Sequence, residues 1–227
     1  MALSLVKKLN RKMSKNNIAS WEEVLKSQPE SYQKWFIEEK RYLLKNIKPK
    51  SKVLEVGCGD GRSIHDIIGL TQDIVGIDYD ETAVEHAKEK LKNYPSVKIM
   101  LADGRNLPFE DNVFDYVICM TTFANFGEDK FKALNEMKRV LKSKDKIIIS
   151  VFSEDALPER IKVYEKIMGE KGFEVKENGK VIFRYFGQDN VSEQFSDKQL
   201  ISIFKKAGLR VEDIKKINIA YICKISK

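Results

Sequence analysis

The chain has 227 residues, 42% of them hydrophobic, and a net charge of +7 from 41 basic and 34 acidic side chains. That length and apolar content suffice for one α/β domain with a sizeable core. No run of 18 consecutive apolar residues occurs, the N-terminus lacks the apolar stretch of a signal peptide, and Cys58, Cys119 and Cys223 have neither metal-ligand nor disulfide spacing. A cytoplasmic protein with reduced thiols and no membrane span is expected.

Residues 1–19 form a basic tail. Lys7, Lys8, Arg11, Lys12 and Lys15 give the first 17 residues +5, so the remainder supplies only +2. A solvated, frayed terminus is the favoured reading, with nucleic acid or an anionic membrane as alternative partners. In residues 20–46, Trp21, Tyr32, Trp35, Phe36, Tyr42 and Leu43 recur at helical spacing. This predicts a cap helix packed on the domain, with Trp35 a candidate for meeting a substrate.

From residue 52 the pattern changes. Strand-like runs at 52–57, 73–78, 97–103, 114–120 and 146–152 alternate with helical patterns at 61–69, 80–91 and 127–141. That alternation predicts a parallel sheet with helices on both faces. Runs at 209–217 and 218–226 are joined too closely for a crossover and predict an antiparallel hairpin at the sheet edge. Between them and the fifth strand, residues 153–194 read as an insertion: a helix over 155–171, then a hairpin flanking Asn178-Gly179. An insertion there sits above the carboxyl ends of the strands, where open α/β sheets bind ligands. It is expected to cap the substrate, with Arg184 and Tyr185 its most useful side chains.

The first strand, Val53-Leu54-Glu55-Val56, runs into Gly57-Cys58-Gly59-Asp60-Gly61, and Asp78 closes the next strand 17 residues after Gly61. Glycines let the backbone turn sharply and approach a ligand, and an acid after the second strand can hold ribose hydroxyls. A nucleoside-containing cofactor is implied. Arg62 stands where a dinucleotide fingerprint has its third glycine, and Glu55 would repel a pyrophosphate, so a nicotinamide-dependent oxidoreductase is disfavoured.

On these residues the chain resembles the class I S-adenosylmethionine-dependent methyltransferases, whose first motif is an acid followed by G-x-G-x-G. Residues 74–80, 97–104, 109–120, 134–142 and 195–209 are similar to further segments of that family, in order, over about six-tenths of the chain. The broad group resembled is that of the ubiquinone/menaquinone-pathway and glycine-type enzymes. Where the family has Pro-Gly-Gly, this chain has Ser143-Lys144-Asp145, which alters only a turn. The resemblance implies a Rossmann-like, doubly wound seven-stranded sheet, mostly parallel with an antiparallel C-terminal strand, under a helix-plus-hairpin cap. It implies that Glu55, Gly57, Cys58 and Gly59 cradle the methionine end of the cofactor and that Asp78 and Tyr79 meet the ribose and adenine. Asp103 and Gly104 would meet the adenine, and the Cys119 carbonyl the cofactor amine.

The expected acceptor is a small molecule, and residues 20–227 are read as one methyltransferase domain. An activated methyl donor asks the protein chiefly to align a nucleophile and exclude water. His65 and His86 fall off the apolar helix faces, so no catalytic base is assigned. Asn125, just past the fourth strand, is the polar side chain best placed for substrate. Cys119-Met120-Thr121-Thr122 stands where the family's DNA and glutamine methyltransferases carry Asn/Asp-Pro-Pro-Tyr or Phe, which disfavours those substrates. An RNA or protein methyltransferase and a non-catalytic partner subunit remain alternatives, and the oligomeric state stays open.

Overall fold

The computed structural model describes residues 28–185 and 188–227; the basic tail and Trp21 lie outside these residues. Its main sheet has seven strands: β1 (Val53–Val56), β2 (Ile74–Asp78), β3 (Lys98–Leu101), β4 (Phe114–Met120), β5 (Leu141–Phe152), β9 (Arg210–Ile217) and β10 (Ala220–Ser226). Their order is β3-β2-β1-β4-β5-β10-β9. β1 pairs in parallel with β2 and β4, while β10 runs antiparallel to both β5 and β9. The doubly wound sheet with an antiparallel C-terminal strand is therefore as expected.

Two-residue periodicity divides the sheet's side chains between two cores. Leu54, Val56, Val117, Cys119, Ile147 and Ile149 face one cluster; Val53, Tyr116, Ile118, Met120 and Ile148 face the other. Helices α4 (Lys130–Val140) and α6 (Asp197–Lys206) cover the first face, and α2 (Arg62–Ile67) and α3 (Glu81–Lys90) the second. Both faces are buried, so the central strands read as continuous apolar runs. Helix starts follow local chemistry. The Asp80 side chain accepts from the Thr82 and Ala83 N–H groups, and Ser196 with Gln199 forms a capping box before α6.

Helix α1 (Glu30–Asn46) contributes to both cores, Tyr32 and Trp35 to the first and Tyr42 and Leu43 to the second. Trp35 is fully buried, its indole N–H donating to Ser150 Oγ at 2.8 Å and its ring 5.1 Å from that of Phe152. The core role of the aromatic stripe thus prevails for Trp35, because its one polar atom finds a partner inside the sheet.

Three details depart from expectation. β5 starts at Leu141, and the expected turn at 143–145 is a register shift within it: Phe114 opposes Leu141, but Tyr116 opposes Lys146. A bulge absorbs the extra residues. The helices expected over 127–141 and 155–171 contract to α4 and to α5 (Leu157–Met168), each directly preceded by a 3-10 turn. The hairpin at 173–186 gains a partner: β6 (Phe173–Val175), β7 (Val181–Tyr185) and β8 (Gln188–Ser192) make a second, three-stranded antiparallel sheet. β8 was not expected, because Gln188-Asp189-Asn190 has poor intrinsic strand preference.

Ser150→Ala would strand the buried Trp35 N–H. A loss of about 1–3 kcal/mol in urea-unfolding stability is expected, with the m-value unchanged.

Candidate cofactor and acceptor site

The glycine turn is pinned to the sheet before any ligand arrives. Gly57 N–H and Cys58 N–H both donate to the Ile77 carbonyl at 2.8 Å, folding the turn back on β2. Gly57 and Gly59 hold φ of 75° and 52°, which a side chain would resist. A Cβ on Gly57 would also lie 2.2 Å from the Thr122 methyl, and the Thr122 hydroxyl donates to the Gly57 carbonyl at 2.9 Å. Thr121, between β4 and that contact, has φ of 66°, a conformation that strains a β-branched residue. Strain of this kind collects where the backbone is held for function.

Asp78 closes the turn from the other side. Its carboxylate accepts from Gly59 N–H at 2.8 Å and from Asp80 N–H at 3.0 Å. Burial raises its pKa, and those two N–H groups oppose the rise. The remaining lone pairs can accept from two adjacent hydroxyls.

A cavity of about 300 Å³ opens beside this turn at the carboxyl ends of β1, β2 and β3. Of the expected cofactor residues, Gly57, Asp78, Tyr79, Asp103 and Gly104 line it. Asn125, named above for substrate, lines it too, and so do Thr122, Phe126, Asn190 and Val191. Asp103 is engaged by Arg105, whose guanidinium also reaches Asp129 at 2.7 Å; Arg105 holds the Asp103 carboxyl below its ordinary range. A hollow of similar size (340 Å³), lined by Lys50 and residues 68–73, lies at the amino ends of β1 and β2 and offers none of this chemistry.

Glu55, Cys58, Gly59 and Cys119 do not line the cavity. Glu55 is 1% exposed, and its Oε2 has no hydrogen-bond partner. Burial pushes its carboxyl well above the ordinary range, against the pull of Arg62 and of a hydrogen bond from Ser63. Cys58 and Cys119 are buried thiols whose pKa burial also raises, so neither is a nucleophile. Arg184 lies on β7 by its backbone, as does Tyr185; their side chains are outside the described part.

The sequence reading missed the partner of Arg62. Glu39 of α1, fully buried, forms an ion pair with Arg62, which also reaches Asp66 at 3.4 Å and stacks 4.3 Å from the Phe36 ring. Glu39 Oε1 has no partner, like Glu55 Oε2. A signal existed: Glu39 interrupts the apolar stripe of Tyr32, Trp35, Tyr42 and Leu43, and an acid on such a face needs a buried cation.

The glycine turn leaves no room for side chains, and Asp78 suits a ribose. The residues fit S-adenosylmethionine, which carries an ammonium, a sulfonium and a nucleoside but no phosphate. On a sheet of this order, they define a Rossmann-like enzyme of the methyl-transferring class.

Comparison with known proteins agrees. Residues 47–208 match a family described as a methyltransferase domain. Over 170 residues the chain is 31% identical to the demethylmenaquinone methyltransferase of Staphylococcus saprophyticus, covering 72% of each protein. A stretch of 115 residues is 36% identical to the enzyme of that name from Staphylococcus aureus, spanning 49% of this chain and 47% of the relative. In fold, a Pyrococcus horikoshii protein (PH0226) superposes with a TM-score of 0.69 at 24% identity, over 87% of this chain and 92% of its own. An S-adenosylmethionine-dependent methyltransferase from Aquifex aeolicus does so at 0.64 and 20%, over 92% and 98%. The chain belongs to the methyltransferase-domain family. It is an enzyme of that kind.

The raised Glu55 carboxyl makes stability depend on pH. The folded protein holds this proton more tightly than the unfolded chain, so its contribution is full below the unfolded pKa of about 4.3 and is lost as pH rises toward the folded value. Glu55→Gln should therefore melt higher than wild type near about pH 8, with the gap closing toward about pH 4 in a thermal-melt series. A gap that widens on acidification would refute the burial argument.

Proposed function

We propose that the protein methylates a small-molecule acceptor held between the glycine-turn end of the sheet and the 153–194 cap, the whole of residues 20–227 forming one domain. The observation that carries this reading is the contact of the cap with the rim of the cavity. Asn190 and Val191 of β8 form part of its wall, and the Tyr79 hydroxyl donates to Asn190 Oδ1 at 3.3 Å. Val191 also packs against Gly127, where a Cβ would meet it at 2.7 Å. A cavity walled on one side by the cap favours a compact acceptor over a polymer strand. The relatives are named for demethylmenaquinone, which supports an organic small molecule as acceptor.

S-adenosylmethionine supplies an activated methyl group on a sulfonium. Around it, Asp78 would hold the ribose hydroxyls, and Tyr79, Asp103 and Gly104 the adenine. Gly57, Cys58 and Gly59 would give the methionine end its close backbone approach. Glu55 and the Cys119 carbonyl would receive the ammonium. Val191 and Phe126 exclude water, and Asn125 can orient a polar group of the acceptor. Neither histidine lines the cavity, so alignment and desolvation carry the rate rather than a histidine base.

Calorimetric titration should show S-adenosylmethionine and S-adenosylhomocysteine binding, and NAD not binding. Asp78→Ala should weaken the first two by about 10- to 100-fold, the loss of charge-assisted hydrogen bonds. Methyl transfer from labelled donor to demethylmenaquinol analogues, but not to RNA, would support the acceptor class; transfer to RNA alone would overturn it.

A further inference from the structure

The side chain of Arg160, on α5, is completely buried, yet no carboxylate among the described residues pairs with it. Its Nη1 donates to Gln194 Oε1 at 2.6 Å, and its Nη2 to the Tyr164 hydroxyl and the Ser192 carbonyl, both at 3.2 Å. Its Nε–H has no partner. One face of the guanidinium lies 4.3 Å from the Phe152 ring centre. A guanidinium cannot shed its charge, and neutral partners compensate its desolvation only in part.

The unsatisfied Nε–H and the longer-bonded Nη2 share one edge. Nε and Nη2 form the side-on fork of the guanidinium, the pair of parallel N–H vectors that a carboxylate accepts. On this edge one donor is orphaned and the other makes only its two longer contacts; the short bond to Gln194 leaves from Nη1. The site is aromatic. Phe152 packs against Trp35 at 5.1 Å and Tyr32 at 6.0 Å, and Tyr164 stacks on Phe183 at 5.7 Å. Its position is the carboxyl end of β5, two strands from the glycine turn on the acceptor side.

We propose that Arg160 anchors the acceptor through a carboxylate, with the aromatic cluster receiving an apolar or aromatic body. This rests on the reading of the cap as the acceptor site. A carboxylate is favoured over a phosphate because, among the described residues, no second cation joins Arg160 in its hydrogen-bonded cluster. The groups it would displace, Tyr164 and Ser192, belong to the cap. Gln194 also links the anchor to the hairpin turn, where a Cβ on Gly179 would meet its Nε2 at 2.4 Å. Entry therefore requires the cap to part while the sheet stays intact.

The test is competitive calorimetry on the full chain saturated with S-adenosylhomocysteine, using two acid–amide pairs: 4-hydroxybenzoate with 4-hydroxybenzamide, and octanoate with octanamide. At least one acid should bind tenfold or more tightly than its amide. Arg160→Gln should abolish that preference, and Arg160→Lys should weaken it, while the affinity for S-adenosylhomocysteine stays at the wild-type value. Equal binding of acids and amides, no binding of either acid, or a preference that survives in Arg160→Gln would overturn the proposal. Should Arg160→Gln fail to fold, the wild-type acid–amide comparison and Arg160→Lys still decide it. The cofactor titration separates the two readings: loss of S-adenosylhomocysteine binding in wild type would sink the methyl-transfer assignment, whereas acid discrimination would still test Arg160.

Discussion

The turn from Gly57 to Gly59, folded back on β2, is the constraint on which the site depends. Two N–H groups converge on the Ile77 carbonyl, and a third, from Gly59, reaches the Asp78 carboxylate. The turn and the acid are thus one unit: Asp78 is held in place by the loop it faces. Thr122 closes the same unit from β4 through the Gly57 carbonyl, and the left-handed Thr121 beside it stores strain that the surrounding sheet sustains. Three adjacent strands therefore deliver their carboxyl ends to one cavity with little freedom left to lose on binding.

Charge organises the side of this unit that faces α1. Arg62 stands at the start of α2, where a cation is unfavourable to the helix dipole. Glu39, Asp66 and Glu55 surround it, and their attraction overcomes burial to raise its pKa. The cap helix α1 is joined to the cofactor turn by this pair and by Phe36. Two carboxylate oxygens are left over, one on Glu39 and one on Glu55. Both belong to the buried network behind the turn and not to the cavity wall.

In the cap the sign of the buried charge is reversed. There the surplus is positive, a single guanidinium between aromatic rings. β8 bridges the two regions, its Asn190 meeting Tyr79 over the cofactor cavity and its Ser192 meeting Arg160.

Much of this was legible in one dimension because its causes are local. Period-two apolar runs specify strands, Asp80 and Ser196 cap the helices they precede, and the spacing from Gly57 to Asp78 places an acid after the second strand. Those signals place the strands, the glycine turn and Asp78; the seven-stranded sheet and the expected roles of Tyr79, Asp103 and Gly104 came from the family resemblance, and those residues do line the cavity. Tertiary structure alone decided the rest. Glu39 and Arg62 are 23 residues apart and Trp35 and Ser150 are 115 apart, so neither pairing leaves a periodic trace. β8 forms because β7 offers it an edge, against its own composition. Only the packing of Phe152, Tyr164 and Gln194 around Arg160 shows a buried charge with no counter-ion among the described residues. Periodicity and capping report which face of an element is buried, while the partner of a buried charge is set by distances that only the folded chain brings into being.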